Sequence, residues 1–211
     1  MGRVMAAVQL VVYSDYLCPW CYNAAVRLRR LQAEFGDALA IDWRAYLLRP
    51  RVDPNRTLEQ FRAYTRSWLR PAAEPDAGTF RVWEGDAGPP SHSVPPHLVA
   101  KAAATLGPDA FDAVHERLLA AYFAENRDIT DLDTLRAVWD EAGLPASAFT
   151  RVEDPALLRA VADEHNEAVE RDVSGVPAVL LLGRDVPLLG AHPIELYRRW
   201  VQRALDEQAV R

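Results

Sequence analysis

The four residues Cys18-Pro19-Trp20-Cys21 carry the main structural information in this 211-residue chain. They follow the apolar run Val8–Tyr13, which is typical of a buried strand. They precede the segment Tyr22–Phe35, in which apolar residues recur with helical periodicity. The sequence therefore predicts that both cysteines lie at a turn from a strand into a helix.

The predicted start of this helix favours a reactive first cysteine. Pro19 suits the first helical position, where its missing N–H costs no hydrogen bond, and this places Cys18 at the N-cap. Only a thiolate attacks a disulfide, and the free N–H groups and positive dipole end of the helix favour the anionic form of Cys18. Cys21 lies one turn further along the helix, close enough to bridge back. We predict Cys18 as the nucleophile and Cys21 as the resolving thiol.

Two other interpretations compete with redox chemistry at the cysteine pair. The pair could be half of a zinc site, but the chain contains no further cysteine to complete it. Both residues could also be small buried hydrophobes, as free cysteines often are. The spacing, the preceding strand and the following helix together favour redox chemistry, so we predict no metal ion.

The composition is that of an ordinary globular protein and excludes some partners. The 30 acidic and 24 basic residues give a net charge of −6, which makes a nucleic-acid partner improbable. No segment approaches the ~20 apolar residues of a membrane helix, so no membrane partner is expected. We interpret the N-terminal apolar run, interrupted by Gln9, as the first strand and expect a cytoplasmic location, where cysteine pairs are more often catalytic than structural.

The first part of the chain predicts a strand, a helix and a parallel strand. The second strand is predicted at Leu39–Leu48, which completes a right-handed βαβ unit. A helix is predicted from Thr57, with one inward side formed by four residues: Phe61, Tyr64, Trp68 and Leu69. The segment Pro71–Pro96 then holds six prolines and three glycines and is predicted to be a long loop. It is either a lid that faces the substrate or a tethered surface excursion.

The central part of the chain is predicted to be helical from His97 onward. Thr130 is the expected cap of one helix, and Asp154-Pro155 is the expected start of the next. His115 and His165 fall on helix faces with apolar neighbours, so we predict that they are packed or locally hydrogen-bonded and not catalytic.

The C-terminal part returns to strands and ends in a helix. Val176–Leu182 and Val186–Leu189 are predicted strands joined by a turn, and Pro193–Glu207 is a predicted amphipathic helix. The whole chain is therefore predicted to be an α/β protein with a thioredoxin-like fold and a large all-helical insertion. We assign residues 1–52 and 173–211 to the thioredoxin-like domain and residues 53–172 to the inserted helical domain.

Pro177 is predicted to form the second half of the active site. A proline just before a buried strand is most easily explained by a cis peptide in a tight turn, although a trans proline that starts a strand is the alternative. In thioredoxin-like proteins the corresponding loop faces the cysteine pair. There, the backbone around Val176 would pair with an extended substrate chain.

Four segments together resemble the DsbA family of thiol-disulfide oxidoreductases, and specifically its FrnE-like branch. That branch is related to 2-hydroxychromene-2-carboxylate isomerases and kappa-class glutathione transferases. The segments that carry the resemblance are Ser14–Tyr22, Ala121–Phe123 with Asp128-Ile129, Ser174–Pro177 and Gly190–Pro193. His192 stands where the family usually has glutamine. The isomerases and transferases typically have serine at the position of Cys18, so the presence of both cysteines here argues against their chemistry and for dithiol exchange.

The resemblance implies a protein thiol-disulfide oxidoreductase without a metal or organic cofactor, with glutathione as a candidate co-substrate. Its partner would be a protein or small molecule that contains a thiol or a disulfide. Trp20, Val176 and Pro177 are the expected substrate-binding residues, and Pro19 and Asp15 are the expected supporting residues. Asp15 would orient the turn by a local hydrogen bond to the backbone or oppose the thiolate by its charge.

Two other functions remain open at the level of sequence. One is a glutathione-dependent isomerase or transferase whose small aromatic substrate lies between the thioredoxin-like and helical parts. The other is a binding module, such as a redox-sensing chaperone or a partner of a biosynthetic enzyme, whose binding would survive replacement of both cysteines.

Overall fold

The computed structural model describes residues 8–209 and contains one mixed sheet within them. The strands of the sheet are β1 (Val8–Ser14), β2 (Leu39–Ala45), β3 (Ala178–Leu181) and β4 (Leu188–Leu189). Their order across the sheet is β2-β1-β3-β4. β1 runs parallel to β2 and antiparallel to β3, and β3 runs antiparallel to β4. This is the strand arrangement of a thioredoxin-like fold.

Helices flank the sheet and fill most of the chain between β2 and β3. They are α1 (Pro19–Phe35), α2 (Leu58–Thr65), α3 (Leu69–Ala72), α4 (Val94–Ala104), α5 (Pro108–Phe123), α6 (Leu132–Glu141), α7 (Pro155–Glu170) and α8 (Ile194–Ala209). Short 3-10 segments lie at Gly36–Ala38, Arg66–Trp68 and Ala146–Glu153. The predicted α/β class with helices added to a thioredoxin-like sheet is confirmed. None of the described helices is long and apolar enough to cross a membrane.

The central strand β1 is buried on both faces, which explains its nearly continuous apolar sequence. Leu10 and Val12 pack with residues of α1 and α8 on one face. Val11 and Tyr13 pack with Ala168 of α7 on the other face. Because successive side chains of a strand alternate between its faces, this one strand joins two layers of the fold.

A second core, rich in aromatic residues, lies among the helices between β2 and β3. Its central side chains are Phe61, Trp68, Trp83, Tyr122 and Phe123, all at most 1% exposed. Their rings meet mainly edge to face or tilted. The same cluster includes the side chains directly before the cysteine motif, Tyr16 and Leu17. The turn that carries the dithiol is therefore packed into the helical part of the molecule.

Several predicted element boundaries are wrong: β3 begins at Ala178 and not at Val176, and β4 contains only Leu188–Leu189 and not Val186–Leu189. Side chains explain two further differences. β2 ends at Ala45 and not at Leu48, because the N–H of Leu48 donates to the Asp15 carboxylate at 2.6 Å, outside the sheet. The N-cap of α6 is Asp131 and not Thr130, since the Asp131 carboxylate accepts the backbone N–H of Thr134 at 2.8 Å.

Only part of the predicted apolar side of the helix that starts at Thr57 is buried. Thr57 starts the helix as expected, through a capping box with Gln60. However, Tyr64 and Leu69 are 46% and 60% exposed, although an inward orientation was predicted for both. The 3-10 segment between α2 and α3 changes the angular spacing of the side chains, so a single helical face does not continue through it.

The proline-rich segment is shorter than predicted and is tied to the helical core. α3 contains Pro71 and α4 begins at Val94, which leaves residues 73–93 irregular. Trp83 is buried, and its backbone N–H donates to the Thr65 hydroxyl at 3.0 Å. The N–H of Arg81 donates to the carbonyl of Phe123 at 2.7 Å. These contacts favour the tethered excursion over a lid.

Candidate active site

Cys18 caps the N-terminus of α1, as predicted. Its backbone is extended, with φ −94° and ψ 113°, and Pro19 occupies the first turn of the helix. The Cys18 sulfur accepts the backbone N–H of Cys21 at 3.3 Å. The sulfur therefore lies at the N-terminus of the helix, in direct contact with a backbone N–H.

The loop before β3 faces this sulfur. The peptide bond between Val176 and Pro177 is cis, so the alternative of a trans proline is wrong. The Cys18 thiol donates to the carbonyl oxygen of Val176, with 3.4 Å between sulfur and oxygen. The next carbonyl, that of Pro177, accepts the N–H of Gly190 at 2.7 Å, which holds the loop from its other side. The structure thus brings Cys18, Val176 and Pro177 together, although 158 positions separate Cys18 from Val176 in the chain.

The two cysteines, both free thiols, differ in their surroundings. Cys18 retains 4% of its surface, whereas Cys21 is fully buried. Burial raises the pKa of the Cys21 thiol well above its usual range, and the adjacent Cys18 sulfur raises it further. Cys21 is therefore held as a neutral thiol behind Cys18, which fits a nucleophile at Cys18 and a resolving thiol at Cys21.

Asp15 connects the cysteine turn to the chain after β2. One carboxylate oxygen accepts the N–H of Leu17 at 2.7 Å, and the other accepts the N–H of Leu48 at 2.6 Å. The backbone carbonyl of Asp15 accepts the N–H of Cys18 at 3.1 Å. Burial raises the pKa of the Asp15 carboxyl to about 6, although hydrogen bonds from Ser93 and the backbone oppose this shift. The expected hydrogen bond to the local backbone is present, and the bond to Leu48 was not foreseen.

A groove of about 350 Å³ opens beside the cysteine turn. It is lined by Cys18, Pro19, Trp20, Leu48, Tyr64, Ser67 and Arg70. The first three are predicted site residues. The other four come from the end of the β2 segment and from the α2–α3 region, and we did not identify them from the sequence. The concentration of arginines in residues 49–70 is the one sequence signal that pointed to this region.

Arg27 is a second residue that sequence reasoning missed. Its side chain is only 1% exposed, although it carries a charge. The guanidinium donates to the carbonyls of Ala191 and His192 at 3.1 and 3.0 Å and to that of Pro75 at 2.8 Å. Arg27 therefore joins α1 to the segment before α8 and to the irregular segment 73–93.

His192 is held through its backbone. Its N–H donates to the Tyr197 hydroxyl at 3.1 Å, and its carbonyl accepts from Arg27. The groove beside Cys18 is lined by other residues. His192 therefore lies in the loop between β4 and α8, and its side chain does not line the groove.

The remaining histidines are packed or hydrogen-bonded. His165 accepts the N–H of Leu47 at 3.1 Å, and His115 bonds the Tyr16 hydroxyl at 2.8 Å through Nδ1. These contacts confirm the predicted local roles of both residues. His92 and His97 have a spacing that is also found in zinc sites. Within residues 8–209, however, no group of three or more His, Cys, Asp or Glu side chains is placed to hold a metal ion.

A larger cavity of about 480 Å³ lies between α1, β2 and α5. Tyr22, Trp43, His115 and Leu119 contribute to its lining, and charged side chains surround its mouth. Cys18 is absent from the residues that line this cavity. A small molecule bound there would therefore not contact the candidate nucleophile.

Comparison with known proteins identifies a family for most of the chain. A family model described as a DSBA-like thioredoxin domain matches residues 9–202. The chain is also 25% identical, over 202 residues, to the ClpXP adapter protein SpxH of Shouchella clausii. That match includes 90% of this chain but only 64% of the length of the relative.

Solved structures share the fold at low sequence identity. The probable DsbA oxidoreductase SCO1869 from Streptomyces coelicolor superposes with a TM-score of 0.75 and 24% identity, covering 95% of this chain and 91% of that one. The cytosolic disulfide reductase DsbM from Pseudomonas aeruginosa superposes with a TM-score of 0.70 and 20% identity, covering 96% and 97%. These similarities concern the whole fold and extend through its helical part.

Proposed function

Because the chain belongs to the family of DSBA-like thioredoxin domains, we propose that it is a thiol-disulfide oxidoreductase that exchanges disulfides through Cys18 and Cys21. The observation that carries this proposal is the surroundings of the Cys18 sulfur. The helix N-terminus, the N–H of Cys21 and the carbonyl of Val176 all meet there, at the edge of an open groove.

In the first step, the Cys18 thiolate attacks one sulfur of a substrate disulfide. A bond forms between Cys18 and that sulfur, the substrate S–S bond breaks, and the second substrate sulfur leaves as a thiolate. The sulfur that makes this attack is the one that contacts the backbone N–H of Cys21 at the start of α1. The product of this step is a mixed disulfide between the protein and half of the substrate.

In the second step, Cys21 attacks the Cys18 sulfur of the mixed disulfide. The Cys21 thiol gives up its proton to the departing substrate sulfur or to solvent as the new S–S bond forms. Two electrons have then passed from the two protein thiols to the substrate disulfide. After this forward sequence, two molecules of a low-molecular-weight thiol such as glutathione, the proposed co-substrate, return the protein to its reduced state and become a disulfide themselves. The reverse sequence oxidises a substrate dithiol and reduces the Cys18–Cys21 disulfide.

The loop at Val176 and Pro177 is the proposed docking site for the backbone of the substrate. An extended chain laid along this loop would place its cysteine next to Cys18, with affinity supplied by main-chain hydrogen bonds. Trp20 forms part of the wall of the groove beside Cys18. Pro19 and Asp15 act as positioning residues, because one begins the helix and the other fixes the turn before it.

The isomerase or transferase alternative is less well supported by the cavities. Its aromatic substrate would have to reach the thiol, whereas the large cavity between the sheet and α5 does not include Cys18. The presence of a second cysteine behind the first also favours exchange. Within residues 8–209, no contact favours the binding-module alternative.

Three further assignments complete the proposal. The segments Ser14–Tyr22 and Ser174–Pro177 support membership of the FrnE-like branch. The division into residues 1–52 with 173–211 and an inserted 53–172 follows the chain positions of the sheet and of α2–α7. A cytoplasmic location is proposed from the cysteine chemistry, with a cysteine-bearing protein or small thiol as the partner.

A redox titration against glutathione buffers tests the proposed function. We expect a two-electron transition between about −120 and −270 mV, read by thiol alkylation and mass spectrometry. Cys18→Ser should abolish exchange with glutathione disulfide, because it removes the nucleophile. Cys21→Ser should instead accumulate a stable mixed disulfide at Cys18, since no resolving thiol remains.

Two results would contradict the proposal. Both thiols could remain unchanged across the whole range of buffers, which would exclude dithiol exchange. Alternatively, Cys21→Ser could form no glutathione adduct while the unaltered protein binds glutathione tightly without a covalent bond, which would favour the isomerase or transferase. His92→Gln provides a matched control, because that side chain lies outside the groove and should leave the transition where it is.

A further inference from the structure

The surface beside the candidate nucleophile is much more basic than the rest of the chain. Residues 49–70 contain six arginines and two acidic residues, a local net charge of +4 in a chain whose net charge is −6. Arg70 lines the same groove as Cys18. Burial raises the pKa of Tyr64, another residue of the groove, and the nearby charges of Arg56 and Arg49 oppose this shift. Arg70, with Arg56 and Arg49 close to Tyr64, therefore places positive charge at the entrance to the dithiol.

Most of these arginines keep their charge uncompensated. Among the described residues, Arg62 is the only one of the six that forms an ion pair, with Asp86. Elsewhere on the molecule arginines commonly occur in pairs with carboxylates, as in the group of Arg117, Arg127 and Glu141. An unpaired guanidinium keeps its donors available for a carboxylate of a partner.

The same surface also exposes large apolar side chains. Leu48 and Tyr64 of the groove are each 46% exposed, and Leu69, next to Arg70, is 60% exposed. Val52, in the connection after β2, is 58% exposed. We use the term basic face for Leu48, Tyr64 and Arg70 of the groove together with Arg49, Arg66 and Leu69, which adjoin groove residues in the chain.

From these observations we propose that the basic face docks an extended acidic polypeptide segment and presents its cysteine or disulfide to Cys18. This inference rests on the proposed function and specifies its substrate class. Unpaired arginines match aspartate and glutamate side chains, and the exposed leucines and tyrosine match apolar side chains of the same segment. The apolar residues extend beyond the groove that a small thiol would fill, which favours a polypeptide.

The substrate segment therefore has a recognisable chemistry. It carries a cysteine flanked by acidic residues and at least one apolar side chain, and its backbone lies along the loop at Val176. The exchange step is the one described above, in which Cys18 forms the mixed disulfide and Cys21 releases it. The arginines contribute by raising the rate of encounter and by holding the segment in register.

Three matched peptide disulfides test this proposal on the full-length reduced protein. The peptides share one sequence around a cysteine in disulfide linkage with 2-mercaptoethanol, and differ only in flanking Asp/Glu, Asn/Gln or Lys residues. The measured quantity is the second-order rate constant for reaction with Cys18. We expect the acidic peptide to react at least about tenfold faster than the neutral one at low salt, and the basic peptide to react slower. At about 0.5 M salt the acidic advantage should shrink to about twofold, because the charges are screened.

A pair of double variants locates the effect. Arg66→Gln with Arg70→Gln should reduce the ratio of acidic to neutral rates at least about threefold. Arg159→Gln with Arg199→Gln removes the same charge from two exposed arginines that also lack ion pairs among the described residues, but lie on α7 and α8. That control should leave the ratio unchanged. The salt dependence of the unaltered protein shows without any substitution that the preference is electrostatic.

The possible failures can be distinguished. If no peptide and no neutral small disulfide reacts, the proposed function itself is wrong. If all three peptides react equally, or if the Arg66/Arg70 variant keeps the full ratio, exchange stands and the docking proposal is overturned. Glutathione disulfide reacting much faster than the acidic peptide would overturn it in favour of a small-thiol site. Binding to anionic lipid vesicles without any peptide preference would overturn it in favour of a membrane surface.

Discussion

At the scale of single residues, two buried charged side chains hold the segments around the dithiol. Arg27 donates to three backbone carbonyls from two separate segments, and Asp15 accepts two backbone N–H groups from two others. Such groups are retained in a core only when hydrogen bonds replace their lost hydration. Their role is to fix loops that have no regular secondary structure of their own.

Substitution of Arg27 tests this structural role. Arg27→Met keeps most of the side-chain volume but leaves three carbonyls without their donor, so we expect a loss of at least about 3 kcal/mol in the free energy of unfolding. Arg29→Met is the matched control, since Arg29 is an exposed residue of the same helix whose ion pair with Glu116 should contribute no more than about 1 kcal/mol. Urea denaturation of both variants measures the difference. Equal losses would show that Arg27 does not hold the loops.

At the scale of elements, α1 is the helix that organises the site. Its N-terminus carries Cys18, and Asn23 in its second turn holds the chain that follows α3. The Asn23 side chain donates to the carbonyl of Pro71 at 2.8 Å and accepts the N–H of Gly78 at 2.9 Å. The ring of Tyr22 lies directly against Gly78. Tyr22 and Asn23 thus hold the irregular segment 73–93 against α1.

The close approach at Gly78 predicts a position that tolerates no side chain. A Cβ added there would lie 2.5 Å from the ring of Tyr22, so Gly78→Ala must displace the ring or the segment. We expect a destabilisation of about 1–3 kcal/mol and faster proteolysis within residues 73–93. Gly85→Ala in the same segment is the control, because its nearest contact would be an ordinary 3.4 Å. If Gly78→Ala is as stable as that control, the segment is not locked against α1.

At the scale of the whole molecule, buried titratable groups determine how stability depends on pH. Burial lowers the pKa of His97 and of His115 from 6.5 to about 3, and raises the pKa of Asp15 from 3.8 to about 6. Below pH 6.5 the unfolded chain therefore takes up two histidine protons that the folded chain does not bind. Between pH 6 and 4 the folded chain takes up the Asp15 proton that the unfolded chain does not yet bind.

The two histidine protons bound by the unfolded chain outnumber the one Asp15 proton bound by the folded chain, which predicts a net loss of stability on acidification. Between pH 6 and 4 the unfolded state binds a net one proton more, so stability should fall by about 1.4 kcal/mol per pH unit. Burial also lowers the pKa of His92 and of His165, which adds to the fall. Asp15→Asn removes the opposing proton and should steepen the fall to about 2.7 kcal/mol per pH unit. Urea denaturation at pH 6, 5 and 4 measures both slopes, and a flat or rising stability in the unaltered protein would contradict this account.

Much of the fold was predictable because its signals are local. The nearly continuous apolar sequence of β1, the proline at the first turn of α1 and the capping box at Thr57 each depend on residues close together in the chain. The wrong boundaries have a different origin. β2 ends early because the Asp15 carboxylate accepts the N–H of Leu48, which lies 33 positions away in the chain. No local sequence pattern indicates such a hydrogen bond.

The sequence by itself determined the thioredoxin-like class and the position of Cys18 at a helix N-terminus, and it favoured a cis peptide before Pro177, since propensities and capping act over a few residues. Only the tertiary structure decided which groups surround that sulfur. The contact of Cys18 with Val176, the groove shared with Arg70 and the burial of Arg27 all join distant segments. Their geometry follows from how the sheet and helices pack against each other, which is a property of the whole chain and not of any one stretch.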